Sequence, residues 1–375
     1  MDAVLAAIVS GNMARWPEDL RGPTDVEATA RRIRFHGIAL LLAERGAWAG
    51  WPETLRASVE DEARMQVLWE AMHRRILHGL FAAFEQAGVA AMALKGTALA
   101  YSLYADPAQR RRGDSDLLVR SRDLRAARKA LEQQGFVRRP PPHGVLFQEA
   151  WESASVGGMQ HVVDLHWQPV DSLRLQTVLS VDAMVAAALP LPALHARAMA
   201  PDPGHALVHA ALNQALHARG GYWSEGENVA GGARLIWAKD YDLLARALDE
   251  KGWAALAGFA RARGVAPLVM QALEFAERVF RTPVPRSAMD LLASAKSETA
   301  ITRYLTEGDR KVRLASDLAA ARGVRQQGRF LARIATPSPG HLRARFVSHA
   351  SWPTPLLRAR WLLGAAREWL TGRRT

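Results

Sequence analysis

At 375 residues, with 49% of them apolar and no uninterrupted apolar run of membrane-spanning length, the chain reads as a globular protein of two or three structural units. Cysteine is absent, which excludes disulfides and thiolate metal sites. The net charge of +12 comes from 49 basic residues of which only six are lysine, with arginine along the whole length, so it reads as a solvated basic surface; an acidic partner such as RNA or anionic lipid stays open.

The first stretch, "MDAVLAAIVSGNMARWPEDL", carries an early acid and no basic leader before its apolar residues. It does not read as a secretory signal, and a bacterial-type cytoplasm is the expected location. "TDVEATARRIRFHGIALLLAERG" opens on Thr24, a plausible cap, and repeats apolar residues at helical spacing. "LRASVEDEARMQVLWEAMHRRILHGLFAAFEQAG" predicts a longer helix ending at Gly88. Residues 1–84 thus form an expected N-terminal helical region.

The pattern then changes. "VAAMALKG" (89–96) suits a buried strand, "TALAYSLYAD" a short helix closed by Asp106-Pro107, and "DSDLLV" (114–119) a second strand. "SRDLRAARKALEQQGF" (121–136) predicts a helix between Ser121 and Gly135. "GVLFQEAWES" and "MQHVVDLHWQPV" flank Gly157-Gly158 as an antiparallel hairpin. The expectation is an α+β fold: a small mixed sheet over about 85–195, flanked by helical regions and mostly helical overall. Residues 196–334 are expected as a helical domain. Within it "GGYWSEGENVAGG" (220–232) reads as a loop, not a phosphate cradle, because it follows no strand. "ATPSPGH" begins a linker, and residues 335–375 end in a basic amphipathic helix. Its tryptophans at 352, 361 and 369 suit packing on the protein at least as well as peripheral contact with an anionic membrane.

Chemistry concentrates in 94–119. Residues two apart on a strand share a face, roughly 7 Å apart, so Asp114 and Asp116 aim together. Two carboxylates that close resist burial unless a cation sits between them, and Mg²⁺ takes one or two carboxylates plus water and phosphate oxygens. Gly96-Thr97 lies between an expected strand and helix, where glycine admits close backbone approach and free N–H groups favour a phosphate. Thr97 is also an ordinary helix cap, and Lys95 beside it an ordinary surface lysine. In "HVVDLHW", Asp164 stands among Val162, Val163 and Leu165, where a carboxylate needs a partner, and His166 projects from the same face. His205 and His209 lie four apart, but no glutamate or third ligand supports a zinc site.

Taken together, Leu94-Lys95-Gly96, Leu103-Tyr104, Arg110, Gly113-Asp114, Asp116-Leu117-Leu118-Val119, Asp123, Gly135-Phe136 and Asp164-Leu165-His166-Trp167 resemble an uncharacterised bacterial nucleotidyltransferase family of the DNA polymerase beta-like superfamily. "RLIWAKDYDLL" (234–244) is similar to that family's helical segment, and the resemblance covers about 90–245. It implies that Asp114 and Asp116 hold two Mg²⁺ ions, Mn²⁺ being a possible substitute, and that Asp164 completes the catalytic one. It also implies that Gly96 and Thr97, with Lys95 beside them, contact the β- and γ-phosphates of a nucleoside triphosphate such as ATP. Arg110, four residues before Asp114, would neutralise phosphate charge or else be a surface arginine; Arg111 and Arg112 read as surface. His166 would support Asp164 or face the core. The implied reaction moves a nucleoside monophosphate to a hydroxyl on an unknown acceptor: a small molecule, sugar or peptide. The rivals are an enzyme of the same superfamily acting on RNA, with nucleic acid not favoured, and a non-catalytic nucleotide-binding module that keeps the fold.

Overall fold

The computed structural model describes residues 1–140, 147–224, 227–229 and 232–371. Positions 144–146 of the expected hairpin and 225, 226, 230 and 231 of the expected loop lie outside the described residues. The fold is α+β, mostly helical around one mixed sheet. Its strands are β1 (Ala91–Ala93), β2 (Asp114–Val119), β3 (Val137–Arg138), β4 (Gln148–Glu152), β5 (Val162–His166), β6 (Leu189–Pro190) and β7 (Met199–Ala200). They lie in the order β3-β4-β5-β2-β1-β7-β6. β2 runs parallel to β5, while β1 with β2 and β4 with β5 are antiparallel. The β4–β5 turn forms at Gly157 and Gly158, whose φ values of 58° and 78° suit a tight hairpin that side-chain-bearing residues would strain. The expected loop at 220–232 is instead partly a two-stranded pair, β8 (Tyr222–Ser224) with β9 (Glu227–Val229).

Alternation along β2 divides the sheet into two faces. Leu117 and Val119, with Val163 and Leu165 of β5, meet Leu77, Leu80, Phe81 and Phe84 of the long helix Glu53–Gln86, and Ala127, Ala130 and Leu131 of the helix Leu124–Gln133. Each of the larger side chains contributes about 1.5–3 kcal/mol on full burial. These apolar side chains of the back face are buried together. Leu118 and Met92 of the front face join a second core with Leu5, Ile8 and Ile33 from the N-terminal helices and with Leu207, Leu212, Ile236 and Tyr241. The last four come from the helices Pro203–Gly220 and Leu235–Arg246. Helices from before and after the sheet therefore close over the face to which Asp114, Asp116 and Asp164 belong.

Candidate active site

The parallel pairing of β2 with β5 sets Asp116 directly opposite Asp164, and Leu118 opposite His166. In-register residues on neighbouring parallel strands point to one face, about 4.8 Å apart in the backbone, so the two carboxylates stand side by side. Donor atoms of Asp116, Asp164 and His166 all lie within 4.8 Å of one another, a set of metal-ligand size. Asp114 sits two residues earlier on the same strand and is exposed, at the mouth of the site. His166, expected beside Asp164, places its Nε2 2.8 Å from Asp116 Oδ1. The tightest donor set is thus two aspartates and the histidine, with the third aspartate outside it.

A cation does stand among these acids. Lys95 Nζ donates to Asp116 Oδ1 at 2.5 Å. Burial works to raise the Asp116 carboxyl, but the Lys95 ammonium and His166 outweigh it and hold the group well below the usual carboxylate range. Asp164 goes the other way, pushed up to about 7 by burial and by the charges of Asp116 and Asp114. Asp114 is raised to about 6 by the protein crowding its carboxyl and by Asp116. One lysine satisfies one carboxylate; the other two bind protons more readily than ordinary carboxylates, because burial and their neighbours' negative charge both disfavour ionisation. A divalent cation would relieve that repulsion.

The turn that delivers Lys95 is strained. Lys95 has φ of +48°, a left-handed conformation that costs a side-chain-bearing residue roughly 1–2 kcal/mol. It opens the helix Lys95–Ser102, and the Leu94 N–H donates to the Asp116 carbonyl at 2.9 Å, which ties the helix start to β2. The first-turn N–H groups of Gly96 and Thr97 have no partner within an α-helix. Thr97 does not offer its hydroxyl alongside them: it is buried and donates to Ser115 Oγ at 3.0 Å, on the back of β2.

Arg110 lies over this turn, its guanidinium carbon and Nη1 both 3.4 Å from where a Gly96 Cβ would stand. It is not a surface arginine. Its Nε donates to both Asp240 oxygens at 2.7 and 3.0 Å, and Tyr104 Oη donates to the same carboxylate at 2.8 Å. Arg111 and Arg112 also fold inward, against the surface expectation. Arg112 is buried and pairs with Glu70 at 2.7 Å, and Arg111 reaches Glu62 at 3.0 Å.

The family described as uncharacterised nucleotidyltransferase matches residues 22–281. The chain belongs to that family. No curated protein and no solved structure matched it. Membership supports nucleotidyl transfer as the class of activity and a nucleoside triphosphate as its substrate, and the carboxylate–histidine set supports a divalent metal.

Several residues around this candidate site escaped sequence reasoning. Behind the strand, Ser115 Oγ meets His73 Nε2, and His73 Nδ1 lies 2.7 Å from His161 Nδ1. Trp69 stacks on His73 with ring centroids 4.3 Å apart. This buried chain connects Thr97 through Ser115 to the long helix and fixes the turn to β2. Its one local sequence signal was Ser115, a polar residue on the strand face otherwise formed by Leu117 and Val119; His73 stands in line with Gln66 and Glu70 on the buried side of the long helix. His209 is buried near Lys95, and its imidazole is lowered to about 3 by burial and the lysine's charge, while His205 meets Asp202. Asp240 was visible as an acid inside "LIWAKDYDLL", but its partner lies 130 positions away.

Proposed function

We propose that this chain is a Mg²⁺-dependent nucleotidyltransferase of the DNA polymerase beta-like kind, moving a nucleoside monophosphate from a triphosphate to a hydroxyl on a small molecule, sugar or peptide. The observation that carries the reading is the in-register pairing of Asp116 with Asp164 on adjacent parallel strands, with Asp114 on the same face. Residues 85–195 are read as the catalytic unit, residues 1–84 and 196–334 as the helical regions enclosing it, and 335–375 as a linker with a basic helix.

The donor set suits a hard divalent ion: carboxylates whose mutual repulsion a cation would relieve, one imidazole, and an open side at Asp114 for water and phosphate. Asp116, Asp164 and His166 would hold one ion, and Asp114 with Asp116 would reach a second. Bound there, the metal supplies neutralisation of phosphate charge and polarisation of the attacking oxygen. The chain's own groups do the rest. The backbone N–H groups of Gly96 and Thr97 receive the β- and γ-phosphates at the helix start. Arg110, steadied by Asp240, faces the charge that builds on those phosphates. The Asp164 carboxylate orients the acceptor hydroxyl or takes its proton. The acceptor oxygen then bonds to the α-phosphorus while the bridging oxygen between α and β leaves with pyrophosphate.

The test is thermal stability with nucleoside triphosphates, with and without Mg²⁺. A ligand at a hundred times its Kd stabilises the fold by about 2.7 kcal/mol, and wild type is expected to show a metal-dependent gain of that order. Asp116→Asn is expected to fold and to lose it. An undiminished gain in the variant would contradict the site.

A further inference from the structure

The arginines run through the whole chain, but their excess over acids does not. Residues 1–309 carry 35 basic and 35 acidic side chains, a net charge of zero, whereas residues 310–375 carry 14 basic and two acidic, which accounts for the entire +12. The family match ends at residue 281, so this basic segment lies beyond it. It is helical, with the helices Arg310–Ala320, Val324–Ala335, Pro339–Arg345 and Thr354–Thr371. One of its two acids, Asp317, is buried and fastens the segment to the body: Ser172 Oγ donates to it at 2.7 Å, the Arg174 N–H at 2.8 Å and Tyr304 Oη at 2.9 Å. Phe330 and Leu173 bury against each other in the same place.

What the segment shows outward is unusual in two respects at once. Arg322, just before the helix Val324–Ala335, and Arg325 and Arg329 on it are exposed, and Arg343, Arg345, Arg358 and Arg360 are exposed further along. Among the described residues, eight of the fourteen exposed large apolar side chains also belong here. They include Val324 (84% exposed), Val347 (76%) and Leu363 (73%). Leu356 and Leu363 lie seven apart on one face of the last helix, opposite in kind to the buried Leu357 beside them. Charge alone would fit any polyanion. Exposed aliphatic side chains between the arginines fit a surface that has both anionic headgroups and a hydrocarbon interior. RNA offers phosphates and stacking faces but nothing to bury valine and leucine.

We propose that residues 310–371 form a peripheral docking surface for an anionic lipid bilayer. The proposal is independent of the nucleotide reading, since none of its residues belongs to the candidate active site. The full chain is mixed with vesicles of phosphatidylcholine alone, and with vesicles that also contain phosphatidylglycerol, and the bound fraction is measured by flotation at low and high salt. Binding to the anionic vesicles is expected at least ~10-fold above that to the neutral ones, and weakened by salt. Arg322→Glu with Arg325→Glu and Arg329→Glu, all at exposed positions, is expected to abolish binding with the melting temperature unchanged. Leu356→Ser with Leu363→Ser is expected to weaken it at least ~3-fold. No preference for anionic vesicles, indifference to the leucine substitutions, or tighter retention by single-stranded RNA at equal phosphate concentration would each overturn the proposal.

Discussion

Lys95 sits where a metal would draw the same oxygen, and that makes its removal informative. Asp116 is 5% exposed and depends on the ammonium for its low proton affinity. Lys95→Gln is expected to destabilise the metal-free protein by about 3 kcal/mol, the usual consequence of leaving one partner of a buried pair uncompensated. It is also expected to enlarge the stabilisation given by Mg²⁺, because the competing cation has gone. Urea unfolding with and without the metal reads both. Equal stability of variant and wild type without metal would contradict the account of Asp116. At this scale the sequence was a good guide to the aspartates, since period-two spacing alone aims Asp114 and Asp116 together. It was a poor guide to Lys95 and Thr97. Where those side chains go depends on a left-handed backbone at one residue and a hydroxyl partner, Ser115, on another element.

Between elements, ion pairs do the joining, two of them buried and one half-buried. The run Arg110-Arg111-Arg112 connects one loop to Asp240, Glu62 and Glu70, on two helices distant in sequence. Arg110→Met and Asp240→Leu are each expected to cost about 3–5 kcal/mol, by stranding a buried charge. The double variant is expected to cost much less than the sum, because the pair disappears together. Strict additivity in a double-mutant cycle would show that the two do not act as a unit. Triphosphate affinity, measured on the stable double variant, is expected to fall, since the guanidinium over Gly96 is gone. A basic run read along the chain has the look of a solvated face; only the fold brings the acids that draw it inward. The strands and the long helix were legible because alternation and helical periodicity are local, and the two-stranded pair at 222–229 was not, its glycine-rich sequence lacking an apolar alternation.

Across the whole molecule, buried charge makes stability depend on pH. His36 is 1% exposed beside Asp2, and burial, only partly offset by Asp2, lowers its imidazole to about 4. The unfolded chain therefore binds a proton near pH 6.5 that the folded chain refuses, and stability is lost as pH falls from 6.5 toward 4. The full effect is on the order of 3 kcal/mol, at 1.36 kcal/mol per unit. Asp114 and Asp164, raised to about 6 and 7, act in the opposite sense, since protonation eases their repulsion. The comparison that isolates the imidazole is wild type against His36→Gln. The variant is expected to lose less stability between pH 7 and pH 5, and identical slopes would contradict the assignment. The sequence total of +12 concealed an asymmetry that only counting by region exposes, which is why the C-terminal arginines read at first as a uniform surface. Asp114, Asp116 and Asp164 are proposed to converge on a nucleotide-bearing metal. Crystals grown with Mn²⁺ and a non-hydrolysable triphosphate test it most directly through anomalous scattering. The expected result is a peak within coordination distance of both Asp116 and Asp164, with phosphate density at the Gly96 turn. Manganese bound elsewhere, or absent from these carboxylates while the nucleotide is present, would contradict it.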